Sequence, residues 1–348
     1  MREKRVFHET SMNRPHEVLH TRLEQRRLDT CTTFSVRRKS GSIVMTRYSG
    51  VFPVAPTAFT DNGDIDFPSQ LRVIDFLIDA GVDGICILAN YSEQFTLTDE
   101  ERDELTERIL DHVGRRVPII VTTSHYSTRI AKARSERAQQ LGANMVMLLP
   151  PYYGATIHAD EAAIILHFQR IAEHLTIPIM LQDAPVSGIP LSATFLWQLA
   201  QAVPVVCYFK IESPRAADKL HALLALSQGN IEGPFDGEES VTLLPDLDAG
   251  ATGTMPSSLI PDTLGRIVRL HRSRHWEEAR ELYERYLPLI HYENRQCGLR
   301  AAKAVLHAGG ILASDHVRLP QEPLPASVRQ TLLDLARRRD ILALRWTR

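Results

Sequence analysis

The stretch VVCYFKIESPRA, residues 205–216, decides how the chain is read. Val205, Val206, Cys207, Tyr208, Phe209 and Ile211 form a nearly continuous apolar run. That is the pattern of a strand in a parallel sheet covered on both faces. Lys210 interrupts the run and Glu212 follows two residues later. Side chains alternate along a strand, so the ammonium and the carboxylate project to one face. Pro214 then ends the strand.

Seven further runs of the same kind flank it, at 50–59 (GVFPVAPTAF), 84–89 (GICILA), 117–124 (VPIIVTTS), 145–151 (MVMLLPP), 178–184 (PIMLQDA), 231–237 (IEGPFDG) and 250–256 (GATGTMP). Amphipathic stretches at helical period lie between them. One opens at Thr98 with acids in its first turn and stops at Gly114. Strands alternating with helices indicate parallel βαβ units, and eight of them match the size of a (β/α)8 TIM barrel. A doubly wound sheet is the alternative, but it usually carries a glycine-rich phosphate loop after its first strand, and VAPTAFTDNGDID is no such loop. The expected organisation is a barrel over 48–273 followed by a C-terminal helical cap over 274–348.

Composition limits the function classes. The chain of 348 residues is 44% hydrophobic and 24% charged, with a net charge of -2, so no global field draws it to nucleic acid or to a membrane surface. Its four cysteines, Cys31, Cys86, Cys207 and Cys297, are scattered without a CxxC pair, which fits neither a zinc site nor a disulfide scaffold. No apolar run is long enough to span a bilayer. These features lead to the expectation of a cytoplasmic protein without metal or cofactor. Residues 1–47 are rich in Arg, His, Ser and Thr and lack both an apolar period and a secretory h-region. They read as a disordered extension, or as an upstream start ahead of a natural beginning near Met45.

Active sites of such barrels lie at the C-terminal strand ends, which is where Lys210 and Glu212 sit. Burial disfavours the charged form of lysine and exposes a nucleophilic amine, able to form a Schiff base with a ketone. A structural Lys–Glu ion pair is the competing reading of the same two residues.

Four segments tip the balance. GVFPVAPTAFTDNGDIDF, GICILANYSEQFTLTDEER, YFKIES and LRAAKAVLHAGGILASDHVRLP together resemble the pyruvate-dependent lyase family of dihydrodipicolinate synthase and N-acetylneuraminate lyase, over about residues 48–340. The resemblance implies that Lys210 is the Schiff-base lysine, and that the assembly is a homo-oligomer, a tetramer built from dimers. It also implies that the loop at Ala89–Glu93 grips the carboxylate of a small 2-keto acid. Ser92 would offer its hydroxyl and N–H there, with Asn90 and Tyr91 as pocket wall. Tyr153 would match a proton-relay tyrosine, although an aromatic packed under a loop is the plainer reading. Gly237 reads as a close backbone approach.

The chain departs from the family where chemistry is set. The acid–base tyrosine of the fifth strand is replaced by Gln182, and the following arginine by Ser187. A glutamine cannot shuttle a proton as a phenol can. Synthesis of dihydrodipicolinate is therefore not expected. The combination of QDAP, KIE and NYSEQ resembles the branch that dehydrates L-2-keto-3-deoxyarabonate, in which Glu212 would take over proton transfer. A class I aldolase releasing pyruvate is the first rival, and a non-catalytic keto-acid sensor the second.

Overall fold

The computed structural model describes residues 32–38, 41–154 and 157–347. Its centre is an eight-stranded parallel sheet: β1 (Gly50–Val51), β2 (Ile85–Ile87), β3 (Ile119–Thr122), β4 (Met145–Leu148), β5 (Ile179–Asp183), β6 (Val206–Ile211), β7 (Gly233–Asp236) and β8 (Gly253–Thr254). Each strand falls inside one of the eight apolar runs. Neighbours pair in sequence order from β2 to β8, and β8 pairs with β1. The ring closes where the continuation of β1 bridges β2 at Val54 and Cys86, with Ala55 N–H donating to the Cys86 carbonyl at 2.9 Å.

Around the ring lie α1 (Phe67–Asp79), α2 (Asp99–Val113), α3 (Thr128–Leu141), α4 (Glu161–Ala172), α5 (Ala193–Ala202), α6 (Ala216–Ser227), α7 (Leu243–Asp248) and α8 (Pro261–Arg272). Helix α2 starts with a capping box. Thr98 Oγ1 accepts from Glu101 N–H, and Glu101 Oε2 accepts from Thr98 N–H at 3.0 Å. Gly114, at φ 54°, ends it in the left-handed region that glycine enters without a Cβ penalty. Beyond the barrel come α9 (Trp276–Tyr292), a π-helical turn (Glu293–Cys297), α10 (Arg300–Ala308) and α11 (Ala326–Arg337). Leu289, Ile290, Leu332 and Leu333 from these helices join the same buried core as the barrel's outer shell.

Two apolar layers result from strand alternation. Phe209 and Ile211 point outward into the core between sheet and helices, while Tyr208 joins Phe52, Met147, Met180 and Phe235 in a plug inside the barrel. Each of these large side chains contributes about 1.5–3 kcal/mol by leaving water. The plug fills the lower barrel, so a polar layer can exist only above it, at the C-terminal strand ends.

Within the span read as a disordered extension, Thr32–Arg38 and Gly41–Arg47 pair as an antiparallel hairpin in register from Thr32–Arg47 to Arg38–Gly41. The physical reason lies in the β-branched residues Thr32, Thr33, Val36, Ile43, Val44 and Thr46, which suit strands. Residues 1–31 and 39–40 of that span lie outside the described residues. No helix of the described residues is long and apolar enough to cross a membrane.

Candidate active site

Above the plug, parallel pairing puts Lys210 of β6 between Gln182 of β5 and Phe235 of β7. Its ammonium is buried at 3% exposure and meets Glu212 Oε1 at 2.5 Å. Gln182 donates from Nε2 to the same carboxylate oxygen at 2.7 Å. The glutamine thus orients Glu212, and its own Oε1 is buried with no partner among the described residues. A buried amide oxygen without a donor loses its hydration uncompensated, and a substrate hydroxyl would restore the bond.

The lysine's charge state differs from the expectation. Burial alone lowers its affinity for a proton, but the carboxylates of Glu212 and Glu239 outweigh burial, and the net direction is upward. Lys210 rests as an ammonium. To attack a ketone it must first hand over a proton, and Glu212 is the acceptor in contact with it.

Glu239 was the residue that sequence reasoning missed. The pair Glu238–Glu239 looks like the acidic first turn of a helix, yet Glu239 (φ 46°) and Ser240 (φ 65°) both adopt left-handed backbone. Two successive non-glycine residues in that region cost roughly 1–3 kcal/mol each. The corner turns Glu239 inward, where it is 8% exposed, accepts from Asn294 Nδ2 at 3.3 Å and hydrogen-bonds the Tyr91 hydroxyl. Burial raises its pKa well above the carboxylate range; Lys210 opposes that shift, and the charges of Glu212 and Glu293 reinforce it. That upward shift favours the protonated form of Glu239, the form a general acid uses. Burial likewise pushes Glu293, which accepts from Ser257 Oγ at 2.5 Å, up to about 8. A signal was present in the sequence: two acids directly after a glycine at a strand end.

Gly237 is explained by its neighbours. A Cβ there would lie 2.6 Å from Glu212 Cγ, 2.8 Å from Lys210 Cγ and 3.0 Å from the Ile211 carbonyl. The close approach is thus between this backbone and the two functional side chains. Gly237→Ala is expected to fold but to push Lys210 and Glu212 out of register, lowering kcat by about 100-fold. Steady-state kinetics beside a thermal melt check this; unchanged kcat would dismiss the role.

Ser92 donates its hydroxyl to the Ala55 carbonyl at 2.7 Å, accepts from Ala89 N–H at 3.1 Å, and commits its own N–H to the Ala89 carbonyl at 2.9 Å. It shapes the loop and has neither donor left for a substrate carboxylate. Tyr153 is 68% exposed on a short hairpin (Tyr152–Tyr153 with Ile157–His158), its ring 6.1 Å from that of Tyr126. Within one chain it stands apart from the buried polar layer. Asn90 Oδ1 accepts from Gln94 Nε2 at 2.7 Å, and the neighbouring Tyr91 packs against the apolar plug of the barrel.

The loop itself is latched from the C-terminal region. Glu93, at φ 57°, forms a fully buried ion pair with Lys303 of α10 and accepts from Arg318 N–H at 2.9 Å. Lys303 and Arg318 both lie over the Phe59 ring, 4.3 and 4.4 Å from its centroid. This is what the LRAAKAVLHAGGILASDHVRLP segment does for the site. Among the described residues no group of three or more His, Cys, Asp or Glu is arranged to hold a metal ion.

Comparisons with known proteins agree with this architecture. The profile of the Dihydrodipicolinate synthetase family matches residues 47–338. An L-2-keto-3-deoxyarabonate dehydratase from Azospirillum brasilense is 54% identical over 300 residues, 86% of this chain and 97% of the relative. A 4-hydroxy-tetrahydrodipicolinate synthase 1 from Halalkalibacterium halodurans is 30% identical over 283 residues, 80% of this chain and 93% of the relative. The solved 4-hydroxy-tetrahydrodipicolinate synthase of Methylacidiphilum fumariolicum SolV superposes with a TM-score of 0.79 at 25% identity, covering 85% of this chain and 98% of that one. With a barrel closed at Val54–Cys86, a lysine buried at the mouth of β6 and a family profile spanning both, the chain belongs to the dihydrodipicolinate synthetase family.

Proposed function

We propose that this protein is a Schiff-base hydro-lyase that dehydrates L-2-keto-3-deoxyarabonate to 2-ketoglutarate semialdehyde. The observation that carries the reading is Gln182 standing beside Lys210 and donating to Glu212, where other family members are expected to have a phenol. The similarity to the Azospirillum dehydratase over nearly its whole length supports the same reaction.

The steps follow from the groups present. Glu212 accepts the ammonium proton, the free amine of Lys210 attacks the C2 ketone, and Glu212 returns the proton to the departing hydroxyl, so that loss of water leaves an iminium and an ionised Glu212. That iminium acidifies C3, and Glu212 removes a C3 proton to give the enamine. Electrons returning from the enamine nitrogen expel the C4 hydroxyl, which leaves as water with the proton of Glu239. Loss of a C5 proton and reprotonation along the chain convert the C5 alcohol carbon to an aldehyde, and hydrolysis frees Lys210. Gln182 Oε1 holds a substrate hydroxyl during these steps, and Asn90 and Tyr91 wall the pocket. The reading includes the cytoplasmic homotetramer implied by the family resemblance, with the exposed Tyr126 and Tyr153 pair on a face for another copy.

The test supplies L-2-keto-3-deoxyarabonate and separates the products. Semialdehyde is expected; pyruvate plus glycolaldehyde as the main products would replace the dehydratase by an aldolase.

A further inference from the structure

Behind β7, on the side away from the barrel interior, two carboxyl groups meet. Asp236 of β7 and Asp246 of α7 are both 0% exposed and hydrogen-bond one another. Asp236 Oδ2 accepts from the Thr254 hydroxyl at 2.5 Å, and Asp246 Oδ2 accepts from the Thr242 hydroxyl at 2.7 Å. No N–H or O–H group of the described residues reaches the other oxygen, Oδ1, of either. Two ionised carboxylates are acceptors only and repel, so the contact requires one proton between them.

That requirement sets the direction of a longer chain. Thr254 spends its hydroxyl proton on Asp236, so in the 2.8 Å contact between Ser240 Oγ and Thr254 Oγ1 the serine donates. The bonds therefore run from Ser240 to Thr254 to the carboxyl pair, with Thr242 closing from the other side. Ser240 is the second residue of the left-handed corner, and Glu239 is the first. The chain ends on the backbone that aims Glu239 into the mouth.

We propose that the Asp236–Asp246 carboxyl pair is a positioning device for Glu239, acting through Thr254 and Ser240 to lock the strained corner at the end of β7. The inference rests on the reading of Glu239 as the acid that releases the C4 hydroxyl. None of the four network residues touches substrate. Their effect is confined to the step that uses Glu239, and imine formation at Lys210 does not depend on them.

Three variants test this: Thr254→Val, which removes the link at similar size, Asp246→Leu, which removes the pair, and Asp246→Asn, whose amide N–H supplies the bridging hydrogen. Thr254→Val and Asp246→Leu are expected to lose about 10- to 100-fold in kcat for dehydration. Their KM and the fraction of Lys210 trapped by borohydride with pyruvate should stay at wild-type values. Asp246→Asn is expected to remain within about threefold of wild type, since it preserves the bridge. Wild-type kcat in Thr254→Val would overturn the proposal, as would a parallel fall of trapping and turnover, which marks general damage. If Asp246→Leu does not fold, Thr254→Val decides alone. Failure of the wild-type protein to be trapped at all would sink the Schiff-base reading instead.

Discussion

Alanine at position 210 abolishes turnover and the borohydride-trapped adduct together, while the barrel still folds. The expected loss is on the order of 10⁴-fold or more, about 5.5 kcal/mol of barrier, because among the described residues Lys210 is the amine in contact with Glu212, the group that accepts its proton. Lys219, the next lysine along, is engaged with Asp183 at 2.7 Å outside the barrel wall. The substitution removes the cation that opposes the upward shift of Glu239, so that carboxyl should take up a proton more readily. A melt and circular dichroism separate this from unfolding, and Lys210→Met fills the vacated volume as a second check. A trapped adduct in folded Lys210→Ala would move the nucleophile elsewhere. Retained turnover would end the class I mechanism.

The parts of this site that were legible in the sequence are those fixed by strand periodicity. Lys210, Glu212 and Gln182 each lie within or just past an apolar run. Their relative placement follows from alternation within β6 and from pairing with β5. The parts that were not legible are set by tertiary hydrogen bonding. Ser92 occupies the expected loop, yet its hydroxyl goes to Ala55, thirty-seven residues away, a partner no local pattern discloses. Glu239 was hidden because an acid after a strand suits a helix start equally well. Only the left-handed corner, fastened through Ser240 and Thr254, turns it inward. Burial by itself points to a neutral Lys210, and the neighbouring carboxylates, which strand periodicity does not reveal together, turn the net direction upward. Tyr153 rests on a motif match, and within one chain its ring is exposed on a short hairpin.

Glu212→Gln and Glu239→Gln should divide the reaction into its two proton transfers. Both carboxyls lie near Lys210, but only Glu212 touches the ammonium, at 2.5 Å, and only Glu212 receives the Gln182 amide. Glutamine at 212 keeps the shape and the acceptor oxygen but can neither take the lysine proton nor remove one from C3. Its adduct with pyruvate should form more slowly yet reach completion. Exchange of the pyruvate methyl protons in D2O should vanish, and dehydration should fall by about 10³-fold. Glutamine at 239 should behave differently: trapping and methyl exchange persist at near wild-type rates, because pyruvate has no C4 hydroxyl to expel. Dehydration of the five-carbon substrate should fall by a similar 10²- to 10³-fold. Proton NMR of pyruvate exchange beside the product assay reads both variants in one set of experiments. Exchange that survives in Glu212→Gln would remove it as the C3 base. Exchange lost in Glu239→Gln would show the two carboxyls acting on one proton rather than on two. The separation matters physically because the enamine expels hydroxide poorly unless a proton is delivered to the departing C4 oxygen, and these two variants show whether Glu239 or Glu212 delivers it. Burial of Glu239 beside Asn294 and the surrounding carboxylates shifts it toward the protonated form that the acid role uses, while Glu212 works as a base.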